Sequence, residues 1–309
     1  MIEEISYGGW ERNVRLSDGT AELVVTLDVG PRILSAGLAG GGNLFAQLPE
    51  QIGGRGEKEW KIRGGHRFWT APENDESYLL DNEPVAYRRI GGSDLGIEIV
   101  SPQSPFGWQK TLKIEGQGKG RFTVTHTLRN GGTSPIEATP WALSVMAPGG
   151  TAILPQPEPK LHPNDLPPGT PFTNDDFQAN RRLVLWKYTD LSDPRFRLEP
   201  AYWFIRQDAT AQATKFGLLF QGGWVAYQLD GAVFAKKIPL ISGAAYPDDG
   251  CNFELYSDAK ILELESLAPC GALAPGAERV HVEEWSLQGW PELIVDRASA
   301  DRFFQTLKG

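Results

Sequence analysis

The sequence has few of the residues and segments that mark several common protein classes. It holds two cysteines, Cys251 and Cys270, without CxxC spacing, so neither a disulfide framework nor a zinc knuckle is indicated. No stretch approaches the roughly 18 apolar residues of a membrane span. The amino terminus lacks the basic start and apolar run of a secretion signal. We therefore expect a cytoplasmic protein with no membrane partner, unless a leader precedes this sequence.

Positive charge and histidine are also scarce. Thirty-nine acidic residues against thirty basic ones give a net charge of −9, and no Lys/Arg stripe opposes it, so nucleic acid is not an expected partner. The four histidines, His66, His126, His162 and His281, are far apart in the chain and form no HExxH pairing. We expect no metal and no cofactor. His126 alternates with apolar residues in FTVTHTLRN, which indicates a core histidine bonded to backbone.

The chain is rich in glycine and proline, which separate short alternating runs. Thirty-five Gly and twenty-three Pro recur in this way, a pattern typical of an all-β fold. Residues 20–30, 121–130 and 215–231 are the clearest strands or strand pairs, and short helices are predicted near 174–183 and at 298–307. Residues 154–173 hold seven prolines, which favours a long loop over a sheet. Since the strand pattern is the same on both sides of this loop, we predict one domain spanning 1–309.

Two strands near the end of the chain gather carboxylates. In NFELYSD, alternation places Asn252, Glu254, Tyr256 and Asp258 on one face, and a turn at 258–260 follows. In the next run, ILELESL, Glu263 and Glu265 share a face. Such a row is often only the solvated side of a sheet. Next to aromatic residues, it can instead form the floor of a site for a polyhydroxylated ligand.

A second candidate wall is GGHRFW, residues 64–69. A buried His-Arg pair is costly unless something satisfies it, and the two glycines let the backbone approach a neighbour closely. We predict that His66 and Arg67 meet the carboxylates of 252–265 across one cavity. Lys215 and Lys236 are expected to be exposed, although both lie in aromatic-rich strands where an ammonium could meet an anionic ligand.

The order of motifs resembles the galactose mutarotase-like (aldose 1-epimerase) superfamily, and within it an uncharacterised bacterial branch. The motifs cover almost the whole chain: YGGWERNVRLSDGTAELVVTLDVGPRI, GGHRFWTAPE, TPWALSVMAPGG, LWKYTDLSDPRF, TKFGLLFQGGWVAYQ, YPDDGCNFELYSD, ILELESLAP and LAPGAERVHVEEWSL. The resemblance implies a β-supersandwich of two large twisted antiparallel sheets with few short helices. It also implies a sugar site on one sheet.

The resemblance further implies general acid and base catalysis that interconverts sugar anomers. Glu265 matches the family's base best, with Glu263 as the alternative, and His66 is the candidate acid. The family's usual acid histidine is missing, because Pro140 and Trp141 stand at its expected place. The alternative is therefore a protein that binds sugar without turning it over. The residues expected to contact a neutral or acidic sugar are Arg67, Trp69, Trp141, Lys215, Lys236, Asp248, Asn252, Glu254 and Glu263.

Overall fold

A computed structural model describes residues 1–92, 94–221 and 223–308. Among them, twenty strands are formed: β1 Ile2–Tyr7, β2 Trp10–Ser17, β3 Ala21–Thr26, β4 Arg32–Leu38, β5 Gly65–Ala71, β6 Ala86–Arg89, β7 Gly96–Val100, β8 Trp108–Gly118, β9 Arg121–Asn130, β10 Thr139–Met146, β11 Thr151–Pro155, β12 Leu183–Leu185, β13 Phe196–Leu198, β14 Tyr202–Arg206, β15 Thr214–Leu218, β16 Trp224–Leu229, β17 Ala232–Lys237, β18 Phe253–Ser257, β19 Leu262–Leu267 and β20 Glu278–Gly289.

The strands form two ten-stranded antiparallel sheets, as the sequence predicts. The first has the order β1-β2-β3-β4-β5-β10-β19-β18-β15-β12, and the second β13-β14-β11-β16-β17-β20-β9-β8-β7-β6. The main hydrophobic core lies between them, where Leu255 and Leu264 of the first sheet pack with Phe234 and Trp285 of the second. Alternation explains this layout, since every second side chain of a strand must find cover on the inner face.

Helices are few. The terminal helix α2, Arg297–Gln305, buries Phe303 and Phe304 as its periodicity predicts, and Asp296 caps it through Ser299 N at 2.8 Å. The predicted helix at 174–183 is reduced to a 3₁₀ turn, Asn174–Phe177.

The remaining helical segments are single turns: 3₁₀ Asp75–Tyr78, 3₁₀ Pro163–Asp165 and α1 Pro247–Gly250, in which Asp248, Asp249 and Gly250 have positive φ. No helix of the described residues is long and apolar enough to cross a bilayer.

The glycine pair at the start of β5 packs closely against neighbouring backbone. Gly64 and Gly65 have φ of 92° and 74°, which favours glycine. A Cβ on Gly64 would lie 2.0 Å from the carbonyl oxygen of Ala46, and one on Gly65 would lie 2.3 Å from that of Ile33. The pair therefore lets β5 lie close against its neighbours, which fixes the position of the residues that follow.

Candidate functional site

A cavity of about 300 Å³ opens on the outer face of the first sheet, the face turned away from the second sheet. Five adjacent strands form its floor: β5, β10, β19, β18 and β15. Its volume is at the lower end of the range for small-molecule sites. The residues that line it are Trp60, Ile62, Arg67, Trp69, Glu73, Tyr78, Trp141, Leu143, Tyr188, Lys215, Tyr256, Asp258, Ile261, Glu263 and Glu265.

Strand register brings residues from the two ends of the chain together on this floor. Leu143 pairs with Arg67 on one side and with Glu265 on the other, and Glu265 pairs in turn with Glu254. Arg67 reaches diagonally across the sheet, and its Nη1 lies 2.7 Å from Glu263 Oε1. Its guanidinium also lies over the ring of Trp69, 4.5 Å from the centroid. The predicted meeting of Arg67 with the late carboxylates is confirmed.

Lys215 is the second cation of the floor, and the expectation that it is exposed is wrong. It is 5% exposed, because its ammonium lies between two buried carboxylates, 2.7 Å from Glu254 Oε2 and 3.2 Å from Glu265 Oε2. It also lies over Trp141, 4.7 Å from the ring centroid. Burial alone would lower the pKa of Lys215, but the two carboxylates overcome this effect and raise it. Lys215 therefore remains charged.

Glu265 has the properties of a carboxylate that can exchange a proton near neutral pH. Burial raises its pKa from 4.5 to about 7, against the opposing pull of Lys215. One carboxylate oxygen, Oε2, accepts a hydrogen bond from Trp141 Nε1 at 2.9 Å. The other, Oε1, is buried and has no hydrogen-bond partner among the described residues. Burial also raises the pKa of Glu254 well above its usual value.

The rim of the cavity carries two further carboxylates, each paired with a tyrosine. Tyr256 donates a hydrogen bond to Asp258 Oδ2 at 3.2 Å, and Tyr78 donates one to Glu73. Trp60 packs on Trp69 at the same side, with ring centroids 5.2 Å apart. The walls are thus aromatic and the polar groups converge on the space between them, as in small-molecule sites generally.

His66 does not line this cavity, so its predicted place beside Arg67 is wrong. Adjacent residues of a strand point to opposite faces, and His66 therefore points between the sheets while Arg67 points outward. His66 is fully buried, with Nδ1 3.0 Å from Ser144 Oγ and Nε2 2.8 Å from His126 Nε2. Burial lowers its pKa well below the usual value. Its ring is neutral and remote from any ligand on the outer face.

The inner face instead holds a buried polar cluster. Glu283 accepts from Ser266 Oγ at 2.5 Å and from Trp285 Nε1 at 2.8 Å, and Lys236 Nζ lies 2.8 Å from its Oε1. The hydroxyl of Ser266 also lies 2.6 Å from His281 Nε2. We call the set of His66, His126, His281, Lys236, Glu283, Ser144 and Ser266 the interior cluster. Its members satisfy one another.

Three histidines converge in this cluster, so their distance in the sequence was no guide to their distance in space. Potential ligand atoms of His66, His126 and Glu283 all lie within 4.8 Å of one another, a separation that a metal ion could bridge. Hydrogen bonds or the ammonium of Lys236 already engage both oxygens of Glu283. His126 also contacts the His281 backbone carbonyl, at 3.2 Å from Nδ1, which confirms its prediction as a core histidine.

Four further residues of the predicted set do not line the cavity either. Lys236 is fully buried in the interior cluster, contrary to the expected exposure. The side chain of Asn252 bonds to the backbone of Phe220 and Pro239, and so fixes a loop. Asp248 lies in the turn α1 with φ of 49°. Glu254 touches the cavity only through Lys215.

Sequence reasoning missed the parts of the site that loops supply. Trp60, Glu73, Tyr78 and Tyr188 come from segments between strands, where no periodicity assigns a face. Glu73 and Tyr78 follow the GGHRFW strand closely in the sequence. This closeness was the one sequence signal that they contribute to the same site.

Comparison with known proteins supports the fold and leaves the activity open. The sequence matches no protein-family profile and no curated protein. Its fold is similar to those of two galactose mutarotase-like proteins of known structure, one from Lactobacillus casei ATCC 334 and one from Clostridium acetobutylicum. The L. casei protein has a TM-score of 0.56 and 10% identity, and the match covers 89% of this chain and 100% of that one. The C. acetobutylicum protein has a TM-score of 0.56 and 14% identity, and the match covers 94% of this chain and 98% of that one.

A protein from Synechocystis sp. PCC 6803 is also similar, with a TM-score of 0.58, 11% identity and coverage of 93% of this chain and 99% of that one. The chain therefore has the galactose mutarotase-like fold, as the sequence motifs imply. At this identity the likeness concerns the fold, and the chemistry has to be argued from the residues of the cavity.

Proposed function

We propose that the cavity binds a small sugar in its ring form and interconverts its α and β anomers, with Glu265 as the general base. The observation that carries this proposal is the state of Glu265: it is buried on the cavity floor, has a pKa of about 7, and has one oxygen without a partner among the described residues. A base works best when its pKa is close to the working pH. The aromatic walls suit the C–H faces of a sugar ring.

In this reaction Glu265 removes the proton of the anomeric hydroxyl. The bond between the anomeric carbon and the ring oxygen breaks, its electron pair passes to the ring oxygen, and that oxygen gains a proton. The open aldehyde turns about its C–C bond, and the reverse steps close the ring on the other face. Arg67 and Lys215 each donate hydrogen bonds to the sugar hydroxyls or to the developing charge.

The second candidate function is sugar binding without turnover. It is favoured by the absence of a histidine from the cavity lining in the part of the chain that the structure describes. Without a histidine, turnover would need another group to protonate the ring oxygen. The hydroxyl groups that line the cavity are those of Tyr78, Tyr188 and Tyr256. Burial raises the pKa of the Tyr188 and Tyr256 hydroxyls, which makes them weak acids.

The test follows the optical rotation of freshly dissolved α-glucose and α-galactose with and without protein, together with exchange between the anomeric protons in NMR spectra. Wild type is expected to accelerate the change over buffer. Glu265→Gln should abolish most of it, by roughly 10²- to 10⁴-fold, because the proton acceptor is removed while the shape is kept. Glu278→Gln, an exposed change on β20, is the matched control.

Sugar binding is measured on the same samples by calorimetry. Binding without acceleration supports the second candidate, and a Glu265→Gln variant as fast as wild type excludes Glu265 as base. If neither binding nor acceleration is found for any sugar, both functions are wrong.

A further inference from the structure

We infer that the cavity selects sugars that carry a positive charge, amino sugars, over neutral ones and rejects sugars with a carboxylate or phosphate. This inference rests on the proposed function and reverses the expectation of an acidic sugar. It follows from the ion pairing of the cavity's own charged groups.

Both cations that an anionic ligand would need are already neutralised. Arg67 is 3% exposed and paired with Glu263, and Lys215 is 5% exposed and held between Glu254 and Glu265. Their remaining N–H groups can still donate hydrogen bonds to a neutral ligand, but an anion that took either cation as its counter-charge would compete with a buried carboxylate for it. Such competition is costly in a water-poor site.

Negative charge is in excess around the same space. In the part of the chain that the structure describes, four carboxylates line the cavity, those of Glu73, Asp258, Glu263 and Glu265, against two cations. A proton on Glu265 reduces this excess and does not remove it. An approaching ammonium is therefore attracted and an approaching carboxylate is repelled.

The rim offers a place for the ammonium. Throughout residues 1–92, 94–221 and 223–308, no basic nitrogen lies within 4.0 Å of the carboxylates of Glu73 or Asp258. Both are instead hydrogen-bonded to tyrosine hydroxyls that face the cavity, Tyr78 and Tyr256. Independently of these acids, two residues that line the cavity have a buried polar atom without a hydrogen-bond partner among the described residues: Glu265 Oε1 and Trp69 Nε1. These two atoms provide an acceptor and a donor for a polar ligand.

The test compares matched sugars by calorimetry at pH 6.5 and low salt: glucose, glucosamine and glucuronate, and the corresponding galactose set. We expect each amino sugar to bind roughly 3- to 10-fold more tightly than its neutral parent, and each uronate at least about 10-fold more weakly. In 0.5 M NaCl the differences should shrink, because salt screens the rim charges.

The double variant Glu73→Gln/Asp258→Asn should lose most of the amino-sugar preference, measured as the ratio of amino-sugar to neutral-sugar affinity in the same protein. Asparagine can still accept the turn's backbone N–H groups, which Asp258 Oδ1 accepts at 2.7 and 3.0 Å. Glu4→Gln/Glu278→Gln removes the same charge from exposed positions and is expected to leave the preference unchanged.

Two kinds of failure are distinguishable. If neutral sugars bind and are anomerised but amino sugars bind no better, or uronates bind best, the inference is wrong and the proposed function stands. If no sugar of either set binds, the proposed function fails and the inference fails with it. Should the double variant not fold, the salt dependence in wild type decides the matter, since a preference indifferent to salt contradicts a charge-based origin.

Discussion

Two charged clusters lie on opposite sides of the first sheet, and they differ in whether all their polar groups have partners. On the outer face, Arg67, Lys215 and their carboxylates border a cavity, and Glu265 Oε1 has no hydrogen-bond partner in the part of the chain that the structure describes. On the inner face, both oxygens of Glu283 are engaged and the histidines bond to serine, to backbone or to one another. A buried polar group beside a cavity that lacks a hydrogen-bond partner can bind a ligand. Buried polar groups that bond to one another instead hold the two sheets in register.

The largest expected effect on stability belongs to the interior cluster. Glu283→Gln leaves the buried ammonium of Lys236 without its counter-charge and should reduce the free energy of unfolding by about 3–5 kcal/mol. The neighbouring pair of Glu284 and Lys237, on the same two strands but facing solvent, supplies the control. Glu284→Gln should cost under about 1 kcal/mol in urea unfolding. An equal loss in the free energy of unfolding for both variants would show that the buried pair of Lys236 and Glu283 stabilises the fold no more than the exposed pair does.

Removing a carboxylate from the outer cluster should stabilise the protein, whereas removing one from the interior cluster destabilises it. The pKa of Glu265 rises from 4.5 to about 7 on folding, so the folded state binds more protons between these values, and stability is lost as the pH rises through this window. Glu265→Gln removes that loss and should stabilise the protein at pH 8 by up to about 3 kcal/mol. Urea unfolding at pH 8 measures it, with Glu278→Gln as the control. A destabilised Glu265→Gln would mean that the ion pair with Lys215 outweighs the burial of the charge.

Acid should act mainly through the inner histidines. Burial lowers the pKa of His126 to about 4 and that of His281 to about 3, while the unfolded value is 6.5. The unfolded state therefore binds more protons below pH 6.5, and stability is lost as the pH falls, by about 2 kcal/mol per buried histidine at pH 5. Unfolding free energies at pH 7 and pH 5 test this. His126→Gln should flatten the decline, and the exposed His162→Gln should leave it unchanged.

The sequence foretold the fold well because alternation and turn residues are local signals. The same rule placed Glu263 and Glu265 on one face, as the structure has them. Applied to GGHRFW, it would also have separated His66 from Arg67. That error came from treating the segment as one wall rather than as a strand with two faces.

Other features could not be read from the sequence at all. The burial of Lys215 and Lys236 depends on carboxylates that are distant in the chain, since Lys215 pairs with residues 39 and 50 positions away and Lys236 with one 47 positions away. A lone lysine in a strand is ordinarily exposed. Its burial becomes predictable only once the strand order is known.

The smallest expected effect is a pH dependence of turnover that separates the two clusters functionally. If Glu265 is the base, only its ionised form works, so the rate of anomer interconversion should rise about tenfold per pH unit below pH 7 and level off above it. Since His66 does not line the cavity, we expect His66→Gln to keep this profile and its midpoint even where stability falls. Rates measured from pH 5.5 to 8.5 in both proteins, corrected for the folded fraction, provide the comparison. If the profile of His66→Gln lost its midpoint near pH 7, the group that titrates there would belong to the interior cluster, and Glu265 would not be the base.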